Sequence, residues 1–371
     1  MGDQIDASVS HARIEESVKE RPPSLPQKKG FVTADVCYAH PWQCHTRLCH
    51  VAEGFCVTAA GLHEAPRFPA GRISMDSIEF HCEPPSNVST MVVAFGGWID
   101  AGEAVTGAMR YLVRQLGASL LASIDPEDFF DFTRVRPVVR LSAGGERIIR
   151  WPRSAFWTWQ PPASRAGLLL FRGMEPQRRW RAYATALLDV AERCGVQRIV
   201  SLGALIAAVP HTRPPRVTGH STDPQWHAQV EAWGIARRPS YEGPTGIASV
   251  VLDAARRRGM SYLTLMGQAP HYLEGATNPA VSRALLTYVT RLLDLELDIS
   301  PLEKAVQAFR TRCDQAVAQD AATQAYVRQL EQEYDATGDE APRPLRDDTF
   351  NPEQLMHDLE EFLREEREGG A

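Results

Sequence analysis

Residues 91–107, Met-Val-Val-Ala-Phe-Gly-Gly-Trp-Ile-Asp-Ala-Gly-Glu-Ala-Val-Thr-Gly, constrain the fold of this chain more than any other stretch. Met91 to Phe95 are consecutive apolar residues, too few for a buried helix and about right for a strand covered on both faces. Gly96 and Gly97 then break the pattern and open backbone angles that other residues resist. Asp100 stands where a helix N-cap is needed, with Glu103 three residues on, an acidic variant of the capping box. Met109, Leu112, Val113 and Leu116 recur at helical spacing up to Gly117. Strand, glycine turn and capped helix predict the opening of a βα unit. Such a turn lies beside a helix N-terminus at the carboxyl end of a strand, where α/β folds bind ligands or partners. Neither a G-x-G-x-x-G spacing nor a Walker Gly-Lys-Ser/Thr is present, so this is no phosphate fingerprint. A tight turn that merely positions the helix is the simpler reading.

The same alternation continues. Ile78, Phe80 and Cys82 alternate with polar residues as in a half-buried strand. Further strands are predicted at 119–124, 138–141, 147–151, 156–159, 168–171, 198–202 and 262–266, with Ser142-Ala-Gly-Gly as a hairpin turn and the acidic, aromatic 125–137 as a connection packed on the body. Helices are predicted from Pro176 to Gly195, from Asp223-Pro224 through Val230, from about Thr245 to Gly259, and from Asn278-Pro279 to about Leu297. The expected fold class over 75–298 is α/β, a three-layer α/β/α domain with a largely parallel sheet.

Beyond 298 the strand signals stop. Ser300-Pro301-Leu302-Glu303 reads as a capping box that launches a long helix carrying Leu302, Val306, Phe309, Cys313, Ala316, Val327, Leu330 and Tyr334, its seam interrupted at Asp320 and Thr323. Residues 336–350 read as an acidic, proline-containing linker. Asn351 opens a last amphipathic helix with Leu355, Met356, Leu359, Phe362 and Leu363. Residues 299–371 hold 17 acidic and 8 basic residues, a net of −9 where the rest nets +3. This acidic helical extension is either a solvated appendage or an oligomerisation or docking arm.

Composition narrows the class. Hydrophobic content of 44% and charged content of 23% over 371 residues fit a soluble globular protein with material for two or three domains. A net charge of −6 argues against nucleic acid as the main partner. No apolar run approaches the roughly 20 residues of a membrane span; the best, Ile199 to Pro210, is interrupted by Ser201 and Gly203. The first thirty residues lack the apolar centre of a signal peptide, so the expected location is cytoplasmic. Arginine outnumbers lysine 36 to 4, the bias of a GC-rich genome, yet three of the four lysines fall in the first 29 residues. Residues 1–74 also hold four of seven cysteines (Cys37, Cys44, Cys49, Cys56) and five of eleven histidines. Intervals of six, four and six residues depart from the tight hooks of structural zinc sites, and a cytoplasmic protein disfavours disulfides. We read 1–74 as a disordered or non-native leader with Met75 as the true start. Peptides from residues 2–70 in protein purified from its own cell would refute that.

Four loops gather the candidate chemistry: Gly96, Gly97, Trp98, Asp100 and Gly102; Val209 to Gly219 with His211; Tyr241, Glu242, Gly243, Pro244, Thr245 and Gly246; and Gln268 to Asn278 with His271. All follow predicted strands or enter predicted helices, so they can meet on one sheet edge. Asp100, His211, Glu242 and His271 could compose acid–base chemistry. The plain alternative gives the histidines loop hydrogen bonds and makes 242–246 a helix-entry turn. No Gly-x-Ser-x-Gly elbow is present, and no nucleophile has a base beside it. Cys194 and Cys313 lie on amphipathic patterns and read as packing residues. No metal or cofactor is expected.

These loops also carry a resemblance. Phe-Gly-Gly-Trp-Ile-Asp-Ala-Gly-Glu-Ala (95–104), Leu-Gly-Ala-Leu-Ile-Ala-Ala-Val-Pro-His-Thr-Arg-Pro (202–214), Tyr-Glu-Gly-Pro-Thr-Gly-Ile (241–247) and Pro-His-Tyr-Leu-Glu-Gly-Ala-Thr-Asn-Pro (270–279) resemble the proteasome assembly chaperone 2 family in its high-GC bacterial branch, over roughly 76–365. The resemblance implies a purine nucleoside phosphorylase-like α/β fold with a helical C-terminal extension. It also implies a homo-oligomer, with a trimer as one candidate state, and non-enzymatic binding of other proteins, proteasome subunits among the candidates. Archaeal members engage the proteasome through a hydrophobic-Tyr-X tail; this chain ends Arg-Glu-Gly-Gly-Ala, so docking of that kind is not expected. The alternative is a small-molecule-binding protein, or a hydrolase or phosphorylase-like enzyme, with a pocket at the same loops. Convergence of Asp100, His211, Glu242 and His271 in a closed pocket would favour the alternative. Dispersal among structural hydrogen bonds beside exposed apolar surface would favour the chaperone reading.

Overall fold

Alternating buried strands and amphipathic helices build one large sheet. The computed structural model describes residues 57–58, 61–62, 77–142, 144–161, 166–238, 240–273 and 275–337. The chain divides into two units, Met1–Ala70 and Gly71–Ala371. In the first, β1 (Val57–Thr58) and β2 (Gly61–Leu62) pair antiparallel. The cysteine–histidine cluster of the leader, most of the predicted 336–350 linker and the helix predicted from Asn351 lie outside the described residues.

In the second unit the strands are β3 (Ile78–Phe80), β4 (Val88–Gly96), β5 (Ser119–Ile124), β6 (Val138–Leu141), β7 (Arg147–Arg150), β8 (Ser154–Trp159), β9 (Gly167–Met174), β10 (Arg198–Ala207), β11 (Val217–Ser221) and β12 (Ser261–Pro270). The helices are α1 (Ala104–Gln115), α2 (Trp180–Arg193), α3 (Pro224–Ala232), α4 (Ile247–Arg257), α5 (Pro279–Leu293), α6 (Ser300–Val317) and α7 (Ala321–Thr337). Eight strands form the sheet in the order β11-β12-β10-β4-β9-β8-β5-β3. The central β12, β10, β4 and β9 are mutually parallel, and β5 points the same way, so five of the eight share one direction. This is the largely parallel three-layer arrangement expected. Strand β8 runs against β9 because residues 160–166 are too few for a crossover, which takes a dozen or more.

Strand β4 shows why both faces are covered. Met91, Val93 and Phe95 enter one core with α2 and α4, while Val92 and Ala94 enter the other with α1 and α5. Each fully buried large side chain contributes roughly 1.5–3 kcal/mol. In the first core Phe171 lies 5.4 Å from Phe95 and 4.7 Å from Phe156, ring centre to ring centre, and Phe129 meets Tyr183 edge-on at 5.2 Å. The 125–137 connection therefore packs through Phe129 and Phe130, as its composition suggested. A third cluster, of Phe309, Cys313, Val327 and Leu330 on Tyr272 and Leu273, seats α6 and α7. No helix among the described residues is long and apolar enough to cross a membrane.

Several predicted boundaries move for local reasons. Helix α2 starts at Trp180 rather than Pro176, because the amides of Gln177 and Arg178 donate to the Phe129 carbonyl and Arg179 turns left-handed at φ 53°. Residues 217–219, placed in a loop, belong to β11. The Ser300 capping box does not close: Asp298 accepts the Ser300 amide at 2.9 Å, and Glu303 reaches Arg283 at 2.8 Å instead. The long C-terminal helix breaks at 318–320, where Asp320 caps α7 by accepting the Thr323 amide at 2.7 Å.

The buried hydroxyls of Tyr183 and Ser154 are 2.6 Å apart. Tyr183→Phe should cost about 1–3 kcal/mol by stranding the serine. Adding Ser154→Ala should cost less than the sum of the two single changes, read from urea unfolding midpoints; strict additivity would contradict a direct bond.

Candidate functional site

The parallel strands β4, β9, β10 and β12 all end on one edge, so the loops after them become neighbours, as the α/β pattern predicts. The first loop is committed to holding helices. Asp100 accepts from the Val105 amide at 2.7 Å, the Thr106 amide at 3.2 Å and the Thr106 hydroxyl at 2.6 Å. Burial pushes its carboxyl above the usual range, against the pull of the Thr106 and Val105 bonds. Glu103 does not complete a capping box, because a 3-10 turn, Ala101–Glu103, intervenes before α1 and leaves Glu103 at φ 47°. Glu103 pairs with Arg110 at 2.9 Å instead. Within the turn Gly102 sits at φ 62°, and a Cβ there would fall 2.8 Å from the Ala276 carbonyl oxygen and 2.9 Å from the Asn278 Cβ. Its carbonyl accepts the Asn278 amide at 2.7 Å. Asn278 in turn caps α5, accepting from Ala280 at 3.1 Å and Val281 at 3.2 Å. Asp100, Gly102 and Asn278 thus fasten α1 to α5.

The two histidines hold the C-terminal helices. His211 is buried; its Nε2 lies 3.1 Å from an Asp314 carboxylate oxygen on α6, and its Nδ1 lies 2.7 Å from the Tyr272 hydroxyl. A carboxylate only accepts, so Nε2 donates and Nδ1 accepts from Tyr272. His271 uses the opposite tautomer, with Nδ1 donating to the Ala207 carbonyl at 3.3 Å and Nε2 accepting from Tyr326 on α7 at 3.0 Å. Beside them the 212–216 loop clasps α7. Arg213 forks onto Asp335 at 2.9 and 2.7 Å and reaches Glu331 at 3.1 Å, while Arg216 stacks 3.8 Å over the Tyr334 ring.

The third loop is exposed from Tyr241 to Thr245. Tyr241 donates to the Pro244 carbonyl at 2.9 Å, and Thr245 donates to Ser249 at 2.5 Å. Gly246 lies against Trp98, where a Cβ would come 3.5 Å from the indole, and 2.9 Å from a Glu175 oxygen. Glu175, at the end of β9, accepts the first amide of α4, Ile247, at 2.8 Å and packs against Gly97 at φ 123°. Sequence reasoning missed Glu175. The available signal was Gly246 itself: a helix entering on glycine has no side-chain cap and needs an acceptor from elsewhere.

Asp100, His211, Glu242 and His271 therefore do not converge. The cavity beside His211 holds about 10 Å3, roughly the room for one water molecule. Among the described residues no group of three or more His, Cys, Asp or Glu is arranged to hold a metal. What the edge presents is apolar. Trp98 is 57% exposed, Tyr241 71%, Leu205 44%, Ile206 40% and Met174 36%. Met174 pairs in register with Gly96, and the Ala204 amide, just before Leu205, donates to the Ile99 carbonyl at 2.7 Å, so four of the five come from adjacent strand ends and the fifth from the loop beside Trp98.

Gly102→Ala should lower stability by about 2–4 kcal/mol, since it adds left-handed strain to a backbone clash; urea unfolding measures it, and a loss under 0.5 kcal/mol would contradict the packing described. For His211, burial holds the pKa below its ordinary value, partly offset by the Asp314 bond and the charges of Asp314 and Glu331, with Arg310 adding to the depression. An undocked His211 takes its proton near pH 6.5, whereas the docked one resists it. Docking of α6 and α7 is therefore unaffected above about pH 6.5 and weakens as pH falls below it. Hydrogen exchange across 300–337, corrected for intrinsic rates, should be faster at pH 5.5 than at pH 7.5; equal protection would remove His211 from that role.

The chain matches the PAC2 family over residues 94–317. A PAC2 family protein of Streptomyces avermitilis is 35% identical, its structure covering 64% of this chain and 99% of its own at a TM-score of 0.59. A proteasome-assembly chaperone homologue of Mycobacterium tuberculosis is likewise 35% identical, with the same coverages and a TM-score of 0.57. A second Mycobacterium tuberculosis protein, of unknown function, is 26% identical over 70% of this chain and 89% of its own, at a TM-score of 0.62. No functionally curated protein matches the chain. With residues 94–317 matched, well over half its length, the chain belongs to the PAC2 family.

Proposed function

We propose that this protein is a non-enzymatic, chaperone-like member of its family, acting in the cytoplasm as a homo-oligomer that binds other polypeptides, proteasome subunits among them, at the carboxyl edge of its sheet. One observation carries the reading: Trp98, Met174, Leu205, Ile206 and Tyr241 stay exposed on an edge where Asp100, His211, His271 and Asn278 are all engaged in holding helices. Exposed apolar groups of this kind mark contact surfaces, and Trp and Tyr are the usual anchors of such contacts. The mycobacterial relative described as a proteasome-assembly chaperone homologue supports the same direction. In this reading Trp98 and Tyr241 touch the partner, Gly96, Gly97 and 242–246 shape the surface, and the buried members hold it in place.

Native mass spectrometry of protein purified gently from its own cell tests this. The wild type should appear as a homo-oligomer with protein bound. Leu205→Asp/Ile206→Asp should weaken that assembly at least about 30-fold, the effect of losing roughly 2 kcal/mol at an interface centre. An assembly indifferent to the double substitution would overturn the reading. So would a stoichiometric small ligand that disappears on Asp100→Ala or His211→Ala.

A further inference from the structure

The β6–β7 hairpin lies outside that edge contact, and its surface is open. All eight strand residues are exposed, and Val139 faces Ile149 across the pair with Leu141 on the same side. Leu141 is 70% exposed and Ile149 53%. A lone two-stranded ribbon is marginal in water, and exposed apolar groups on it call for a cover.

Charge narrows what the cover is. Between 134 and 153 stand Arg134, Arg136, Arg140, Arg147, Arg150 and Arg153 against Glu146, a net of +5. All six arginines are exposed, and none makes an ion pair within 4 Å with a carboxylate among the described residues, Arg134 alone acting on one, Asp131, from further off. The same chain carries the complement. Residues 351–368 hold seven carboxylates and two arginines, a net of −5, with Leu355, Met356, Leu359, Phe362 and Leu363 at helical spacing.

Reach permits the contact. The hairpin joins the carboxyl end of β5 to the start of β8, which puts it on the same sheet edge as the end of α7, held by Arg216 beside the end of β12. From β12 to β5 is five strand spacings, about 24 Å. Residues 338–350 can span up to about 45 Å.

We propose that residues 351–368 dock as an amphipathic helix on the β6–β7 hairpin of their own chain, the apolar stripe on Val139, Leu141 and Ile149 and the carboxylates around Arg147, which shares that face. Hydrogen exchange of the hairpin in the full-length protein tests it. Leu359→Asp/Phe362→Asp should speed exchange across 138–150 at least tenfold and leave β4 unchanged. Arg147→Glu, the strand arginine on that same face, should speed exchange in the same direction, and adding Glu360→Arg/Glu361→Arg should restore protection. A hundredfold dilution should change nothing. A wild-type hairpin that exchanges as fast as the Leu359/Phe362 variant overturns the proposal, and so does protection that fades on dilution, which would make the cover a second copy. The readout does not depend on whether the edge at Leu205 binds a partner.

Discussion

Helix amides released along one edge of a parallel sheet must find acceptors, and that requirement organises the loops of this protein. Helix α1 takes the carboxylate of Asp100, α4 that of Glu175 and α5 the amide oxygen of Asn278. Two of these groups are acids that, on composition alone, could be taken for catalytic ones. Each of them already accepts a helix amide. Trp98, Met174, Leu205 and Ile206 are what that edge leaves exposed beside them.

The C-terminal helices are attached by a different device. Their apolar contribution comes from Val306, Phe309, Cys313, Val327 and Leu330. Polar groups supply the rest: His211 to Asp314, Tyr326 to His271, and the Arg213 fork onto Asp335. Because His211 and His271 are buried on the body while Asp335 is largely in water, the joint combines a dry, titratable centre with a wet, screened rim. The body and its appendage therefore answer to different conditions.

Much of the fold was legible. The apolar run at 91–95 and the Asp-Pro and Asn-Pro helix entries each report a local physical preference, and the structure honours them. Legibility failed where a distant group decides. Arg179 bends because the Phe129 carbonyl takes the amides before it, and α6 starts where Asp298 rather than Ser300 supplies the cap. Residues 217–221 lack a strong strand pattern because β11 gains its place by pairing with β12. The candidate loops were found, but their polar members were weighed for chemistry although burial and helix ends had claimed them. The exposed pair Leu205-Ile206 was hidden inside an apolar run that reads as core throughout; only the length of β10 beyond its covering helices separates the two uses.

The rims of the sheet bear on how such a protein meets another. Strand β3, at one rim, has three residues, and β11, at the other, exchanges hydrogen bonds on its outer side with residues 235–237 through Gly219. Neither rim offers a long ladder of free backbone groups, so a foreign chain gains little by lengthening the sheet. On the proposed reading a partner approaches the strand ends, where side chains rather than main chain face outward. Recognition of that kind would read sequence, and a segment with nothing but free amides to offer would find little to hold.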